Sequence, residues 1–398
     1  MGNIFDMHVV LGIDAGGTSS RAALFTLDGT PVGRGHAGGA NPGALGMDAA
    51  AANLTAAVRA ALLKAGSPQV MAVVVGLAGN PAKCAALTER VFRAVLPGEP
   101  LLPGSPAVRT IGDIVTAFAA GTPAPSGTVL ISGTGAIAAK ITDHVPIATA
   151  DGYGWQLGDE GSAFWLGRAA ARATIRALTT PPLTPSLHRP AATTPPPHPP
   201  AANPPPPHPP AVSPLPVTPS PYRVTATEPP VTPLAHHTAT EPPVTRLAHH
   251  TAADRRVGVG GRLVELVVRQ LLPDGPGGDP VAGLAAAVHA RPALALAELA
   301  PLVSAAARDG DPLALSIVAE AASRLARTAA QVHEPGLPLV LAGSVLTAAG
   351  PVREAVRDLL ADTTTAGDAA GAAAWLAARP FLDPREAEAR HARFTGSG

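Results

Sequence analysis

The chain has 398 residues, and its 29 Lys and Arg are balanced by 29 Asp and Glu, so the formal net charge is zero. This balance argues against a nucleic-acid-binding protein, because such proteins carry a basic excess. The single cysteine, Cys84, excludes an intrachain disulfide framework and a cysteine-rich zinc site.

The first third of the chain alternates predicted strands and helices. The predicted strands are residues 8–14, 21–26, 31–36, 69–77 and 108–111, and the predicted helices are residues 49–64, 82–95 and one from about 114. A Gly-rich turn and an Asp-Gly turn join the first three strands, as in a β-meander. Asp48 is predicted to cap the first helix. The apolar run 69–77 is typical of a strand buried on both faces.

The pattern restarts in the second part of the chain. Predicted strands follow at 128–132, 136–141, 145–148 and 337–341, and predicted helices at 161–178, 257–272, 282–290, 298–307, 312–332 and 386–394. Both parts open with an apolar strand, a small-residue turn and two further strands. The sequence therefore predicts an α/β protein with two duplicated domains, residues 1–118 and 119–379, and a C-terminal helix within 380–398 that packs back on the first.

Residues 181–254 interrupt this organisation. They contain 24 of the chain's 46 prolines and two copies of the sequence ATEPPVTxLAHHT. Because proline cannot donate to helix or sheet ladders, the segment is predicted to be a disordered, low-complexity insertion between two helices. Its histidines leave open the alternative of a metal- or partner-binding tract.

Targeting signals are absent from the sequence as given. The N-terminus lacks the charged and apolar regions of a signal peptide, and no run of about 20 apolar residues is long enough for a membrane span. We therefore expect a cytoplasmic protein without membrane or nucleic-acid partners.

Two glycine-rich turns follow apolar strands at equivalent places in the two halves. The first is Asp14-Ala15-Gly16-Gly17-Thr18, and the second is Ser132-Gly133-Thr134-Gly135. Glycines let backbone N–H groups approach phosphate oxygens, and Asp14 is a candidate Mg²⁺ ligand. Plain β-turns are the alternative. A strand follows the second turn, which argues against a dinucleotide-binding motif, and the P-loop pattern is missing.

Three further segments are candidates for chemistry. Asp113 begins a predicted helix, as a cap or as the base for a substrate hydroxyl. Residues 152–162 (GYGWQLGDEGS) combine glycines, aromatics, an amide and carboxylates, which suit polyol hydroxyls. Gly343 and Ser344 follow the last apolar strand. They are candidates for a helix cap or for contact with a flat nucleotide base such as adenine, which can approach a glycine closely.

Together these motifs resemble the sugar kinase/Hsp70/actin superfamily. DAGGTSSR is similar to its first phosphate motif, SGTGA to its second and LAGS to its adenosine motif. GWQLGDEGSAFWLGRAA is similar to the signature of the N-acetylglucosamine kinases, which are grouped with the BadF/BadG-type ATPases. The resemblance covers residues 9–180 and 257–395. It implies two actin-like (ribonuclease H-like) domains with a cleft between them, and a homodimer.

The resemblance implies a role for each matching residue. Asp113 corresponds to the catalytic base for the sugar 6-hydroxyl, and Asp14 with Asp113 to the Mg²⁺ site. The implied sugar-binding residues are Asn41, Thr134, Gln156, Asp159 and Glu160. The implied ATP-binding residues are Gly16, Gly17, Thr18, Ser19, Arg21, Gly133, Thr134, Gly135, Gly343 and Ser344.

The implied function is an ATP- and Mg²⁺-dependent phosphotransferase acting on the alcohol group of an amino sugar. We expect glucosamine, with Asp48, Asp151 or Glu160 as candidate partners for its amine, and N-acetylglucosamine or another hexose as alternatives. The chain has Tyr-Gly-Trp-Gln where the family commonly has Gly-Gly-Trp-Gly. One cysteine excludes the iron–sulfur dehydratase activators and the zinc-containing ROK kinases. A non-catalytic actin-like regulator is the rival class.

Overall fold

The structure is a computed structural model, and it describes residues 8–66, 68–96, 108–179, 261–275 and 277–396. The predicted insertion, 181–254, lies outside the described residues, as do residues 257–260 of one predicted helix. Among the helices that the structure describes, none is both long enough and apolar enough to cross a membrane.

The first sheet contains five strands. These are β1 (His8–Ala15), β2 (Ser19–Thr26), β3 (Pro31–Gly38), β4 (Gln69–Leu77) and β5 (Arg109–Gly112). Their order is β3-β2-β1-β4-β5, with antiparallel pairing among β1, β2 and β3 and parallel pairing of β1 with β4 and β4 with β5. Short turns join the antiparallel strands β1, β2 and β3, whereas longer connections that contain helices lead to the parallel strands β4 and β5.

The second sheet repeats this topology. Its strands are β6 (Gly127–Ser132), β7 (Ala136–Thr142), β8 (Val145–Asp151), β9 (Leu339–Ala342) and β10 (Thr363–Thr365). Their order is β10-β9-β6-β7-β8, again with an antiparallel meander and two parallel additions. The predicted duplication is therefore confirmed, and the two Gly-rich turns, β1–β2 and β6–β7, lie at equivalent positions.

Helices cover both faces of the first sheet. They are α1 (Pro42–Leu45), α2 (Met47–Lys64), α3 (Pro81–Val95), α4 (Asp113–Ala119), α12 (Ala369–Ala378) and α13 (Pro384–Thr395). One core forms where α2 and α3 pack against β1 and β4, and another where α12 packs on the opposite face. The ring of Phe394 on α13 lies 5.0 Å from that of Phe25 on β2.

The helices of the second part form one large core with the second sheet. They are α5 (Ala163–Thr179), α6 (Arg262–Leu271), α7 (Pro280–His289), a 3-10 helix (Ala293–Leu299), α8 (Ala300–Arg308), α9 (Pro312–Ala330), α10 (Ser344–Thr347) and α11 (Pro351–Leu359). Helix α4 belongs to both halves, because Val115 packs with the core of the first sheet and Phe118 with residues of the second.

Two sequence predictions are corrected by the structure. Gly46, not Asp48, is the N-cap of α2, and the Asp48 carboxylate instead pairs with Arg90 at 2.7 Å. The predicted helix 298–307 is a 3-10 helix followed by α8. Helix α12 has no counterpart among the predicted helices, since its Ala-rich residues are buried all round and show no amphipathic period.

Candidate active site

A cavity of about 330 Å³ lies between the ends of the two sheets. Ten of the predicted site residues line it, and they come from both halves of the chain. They are Asp14, Gly16, Thr18, Ser19, Arg21, Asp113, Gly133, Thr134, Gly343 and Ser344. The fold therefore brings both Gly-rich turns, the adenosine-like motif and both candidate metal ligands to one place.

The first Gly-rich turn is shaped by a backbone hydrogen bond. The Gly16 N–H donates to the Ser19 carbonyl at 3.0 Å, which closes the link between β1 and β2. A Cβ added at Gly16 or Gly17 would meet no other atom within 4 Å. The backbone at these glycines therefore faces free space, as a phosphate-binding turn requires.

The second turn has the same internal closure. The Gly133 N–H donates to the Gly135 carbonyl at 2.9 Å, between β6 and β7. Gly133 and Thr134 line the cavity, whereas Gly135 lies against the carboxylate of Asp159. A Cβ at Gly135 would come within 2.8 Å of that carboxylate, so the close packing requires glycine here.

Asp14 and Asp113 are two carboxylates close to each other on the cavity wall. Burial, followed by the negative charge of Asp113, raises the pKa of Asp14 from 3.8 to about 6. Arg21 and a 3.3 Å hydrogen bond from the Thr116 hydroxyl oppose this rise. Burial also raises the pKa of Asp113.

Asp113 is the first residue of α4 and not its N-cap residue. Gly112 is the N-cap of α4, and it makes no side-chain capping bond. The Asp113 side chain belongs to the first turn of α4 and faces the cavity. Backbone N–H groups of Ile114 and of Asp113 itself also hydrogen-bond this carboxylate and oppose the rise in its pKa, so the side chain both contacts the start of the helix and lines the cavity.

These carboxylates are suited to a hydrated cation. Among the described residues, no group of three or more His, Cys, Asp or Glu is arranged to hold a metal. Mg²⁺, however, is commonly bound through one or two carboxylates together with substrate phosphates. A buried carboxylate whose pKa is raised partly by a second carboxylate is a place where a cation relieves repulsion, so Asp14 and Asp113 fit such an ion.

Gly343 and Ser344 lie between this cavity and a second one. Gly343 has a left-handed backbone with φ of 81°, and a Cβ there would come within 2.3 Å of the Ser132 carbonyl oxygen. Ser344 also lines the second cavity, of about 310 Å³, whose walls include Leu166 of α5 and Arg308 of α8. Ser344 is therefore common to the walls of the two cavities, and the second has more apolar lining residues than the first.

Asn41 lies beside the first turn but outside the cavity wall. The N–H of the preceding Ala40 donates to the Gly16 carbonyl at 2.9 Å. The Asn41 side-chain oxygen caps α1 by accepting from the Gly43 N–H at 2.8 Å. Its amide nitrogen stays available for a ligand hydroxyl.

The structure does not bring the predicted sugar segment, residues 152–162, to the cavity wall. Gln156 is exposed, and Asp159 is buried with its carboxylate accepting from the Ala136 N–H at 3.1 Å. Burial raises the pKa of Asp159. Glu160 forms an ion pair with Arg324, whose guanidinium also lies 5.1 Å from the Trp165 ring.

Several cavity residues were missed at the level of sequence. Thr347 and Gly367 line the main cavity, and Arg308 lines the second. The Thr116 hydroxyl lies 3.3 Å from the Asp14 carboxylate and 2.9 Å from the backbone carbonyl oxygen of Asp113, so it links the Asp14 side chain to the first turn of α4. The only sequence feature that indicated a position for Thr116 near Asp113 was its spacing of three residues along the predicted helix.

Comparison with known families and structures agrees with this architecture. Residues 11–180 match the model of the BadF/BadG/BcrA/BcrD ATPase family. A candidate N-acetylglucosamine kinase from Chromobacterium violaceum is 21% identical with a TM-score of 0.58, over 94% of this chain and 100% of that one. A candidate N-acetylglucosamine kinase from Porphyromonas gingivalis is 18% identical with a TM-score of 0.58, over 96% and 98%. At such identity the likeness establishes a shared fold, with two actin-like domains.

Proposed function

We propose that this chain, whose residues 11–180 match the model of the BadF/BadG/BcrA/BcrD ATPase family, is an ATP-dependent kinase that phosphorylates N-acetylglucosamine. The observation that carries the proposal is the single cavity in which two equivalent Gly-rich turns meet Asp14 and Asp113. Phosphoryl transfer depends mainly on positioning and on neutralising charge, and this arrangement offers both.

The nucleotide is proposed to extend across both cavities. The turns at Gly16–Thr18 and Gly133–Gly135 would hold the phosphates, with Arg21 adding positive charge. The base would occupy the second cavity, beyond Gly343 and Ser344, where small and apolar side chains predominate. Bound Mg²⁺, held at Asp14 and Asp113, would neutralise the charge on the phosphates.

Asp113 is the proposed general base. It would accept the proton of the sugar 6-hydroxyl as that oxygen attacks the γ-phosphorus. A bond then forms between the sugar oxygen and phosphorus, the bond from phosphorus to the β–γ bridging oxygen breaks, and ADP leaves with the electron pair.

The choice of an acetylated sugar over glucosamine rests on the partners of three carboxylates. Glucosamine in its protonated form would favour a free carboxylate near its amine, and Asp48, Asp151 and Glu160 were the candidates. Asp48 pairs with Arg90, Glu160 pairs with Arg324, and Asp151 accepts three backbone N–H groups. None of the three is left without a partner, so an uncharged acetamido group is the better fit. The structural neighbours named above carry the same substrate in their descriptions.

The test is ADP release with N-acetylglucosamine, glucosamine and glucose, for the unmodified protein and for Asp113→Asn. We expect the highest kcat/KM with N-acetylglucosamine. We also expect Asp113→Asn to lose sugar-dependent turnover by at least about 10²-fold, the usual scale of general-base catalysis, while nucleotide binding is retained.

The control for this test is Asp274→Asn, a change at an exposed position away from both cavities, which should leave turnover unchanged. Full activity of Asp113→Asn would overturn the catalytic assignment. Nucleotide binding without ADP release on any sugar would instead favour the non-catalytic regulator.

A further inference from the structure

Asp151 ends strand β8 and closes the loop that follows it. Its carboxylate Oδ1 accepts from the Gly152 N–H and from the Asp159 N–H, both at 2.7 Å. Its Oδ2 accepts from the Glu160 N–H at 2.8 Å. One carboxylate therefore binds both ends of the loop, through short hydrogen bonds of the charge-assisted kind.

The surrounding backbone is shaped to this contact. Asp151 and Asp159 both have left-handed backbones, with φ of 63° and 58°, a conformation that is uncommon outside glycine and is most tolerated by Asp and Asn. A Cβ at Gly158 would come within 2.1 Å of the Asp151 Oδ1 atom. These features constrain the loop to one conformation around the carboxylate.

The loop is in turn bonded to the second Gly-rich turn. The carboxylate of Asp159 accepts from the Ala136 N–H, at 3.1 Å. The Ser132 hydroxyl donates to the Gly161 carbonyl at 3.1 Å, and the Ala163 N–H donates to the Gly133 carbonyl at 2.8 Å. Three hydrogen bonds thus join residues 159–163 to residues 132–136, and Asp151 holds the near end of this connection.

We propose that Asp151 is a positioning residue that couples segment 152–162 to the turn at Gly133–Gly135, so that the two behave as one body. Asp151 is not in the wall of either cavity, and it acts through the Asp159 backbone. The proposal rests on the proposed function for the identity of the ligand at the turn, the nucleotide phosphates, and it adds that the segment outside the cavity walls affects their binding through the backbone of that turn.

The test uses Asp151→Asn in the full-length protein. Asparagine tolerates the left-handed backbone and retains one acceptor oxygen, but its NH₂ group would face the Glu160 N–H, so that two donors oppose each other. We expect nucleotide affinity, measured by calorimetry with a non-hydrolysable ATP analogue and no sugar, to fall about tenfold, the scale of one lost charge-assisted bond. Hydrogen exchange at residues 133–136 should accelerate in the same variant.

Two further variants make the result decisive. Leu157→Ala changes an exposed residue of the same loop, 83% accessible, and should leave analogue affinity unchanged. Ser132→Ala removes the hydroxyl bond to Gly161 and should weaken analogue binding even if Asp151→Asn folds poorly. The proposal would be overturned if Asp151→Asn and Ser132→Ala both folded and bound the analogue as tightly as the unmodified protein. That conclusion would hold even if the KM for the sugar rose.

The readout is independent of the sugar assignment. Analogue binding is measured without sugar, so it tests the coupling even if the unmodified protein phosphorylates none of the sugars in the panel. A variant that loses thermal stability but binds the analogue as tightly as the unmodified protein has a merely structural defect, and that outcome also overturns the proposal.

Discussion

Asp14 shows how a side chain with a proposed role in the site can be unfavourable for the fold. It lies at the end of β1 beside a second carboxylate, and burial with that neighbouring charge raises its pKa from 3.8 to about 6. The folded protein therefore binds a proton at Asp14 more tightly than the unfolded chain does. The corresponding stability is fully present below about pH 4 and is lost as the pH rises to about 6.

Asp14→Asn should consequently stabilise the nucleotide-free protein at high pH. Without Mg²⁺ we expect its free energy of unfolding to exceed that of the unmodified protein at pH 8, by up to about 3 kcal/mol for a shift of about two pKa units. The difference should shrink as the pH falls from 6 to 4. Urea unfolding at several pH values measures it.

Asp28 provides a control of opposite sign. The Thr26 hydroxyl lowers the pKa of Asp28, so Asp28→Asn should slightly destabilise the protein at neutral pH. The account of Asp14 would be wrong if Asp14→Asn were no more stable than the unmodified protein at pH 8. Asp14→Asn should also weaken Mg²⁺-dependent nucleotide binding.

Among the elements, β1 combines packing and function along a single strand. Gly12 lies against α12, and a Cβ there would come within 2.1 Å of backbone atoms of Ala370 and Ala374. Gly16, just beyond the strand, has open space at the corresponding position. Packing against α12 therefore requires glycine at position 12, whereas no neighbouring protein atom excludes a side chain at position 16.

Gly12→Ala and Gly16→Ala should separate these reasons. Gly12→Ala forces α12 away from β1 and should destabilise the protein by roughly 1–3 kcal/mol, the usual cost of overpacking. Gly16→Ala should change stability little, but its methyl group would obstruct phosphate and weaken nucleotide binding. Urea unfolding and analogue titration on both variants measure these effects. Equal stability of the two variants would contradict the packing argument.

For the whole molecule, residues 181–254 contain none of the proposed site residues. The helices that flank them, α5 and α6, pack against each other. A loop of any length between them should therefore affect the site little, since loop-closure cost grows slowly with length. The homodimer, the domain boundaries and the cytoplasmic location also stay predictions from the sequence.

Deleting residues 181–250 should preserve the fold and the sugar-dependent ADP release within about twofold, because longer loops add little to the closure cost. Circular dichroism, thermal unfolding and the kinase assay check this. A shorter deletion, residues 181–215, is the matched control and should behave identically. A folded deletion variant without activity would show that the tract contributes to function.

The sequence by itself determined the α/β class, the duplication and most of the strands. These depend on local signals, apolar runs and Gly-rich turns, that survive without knowledge of the partners. Helix α12 was missed because its alanines are buried on every side, and β10 because three threonines carry no apolar pattern.

The tertiary structure alone decided which polar residues act together. Asp14 and Asp113 are almost a hundred residues apart in the chain, yet each changes its titration through burial in the same cavity. Asp151 and Glu160 were predicted as contacts for an amine and are instead bound to backbone amides and to Arg324. A carboxylate's role depends on which donors the fold brings to it, and residue type and spacing alone do not contain that information.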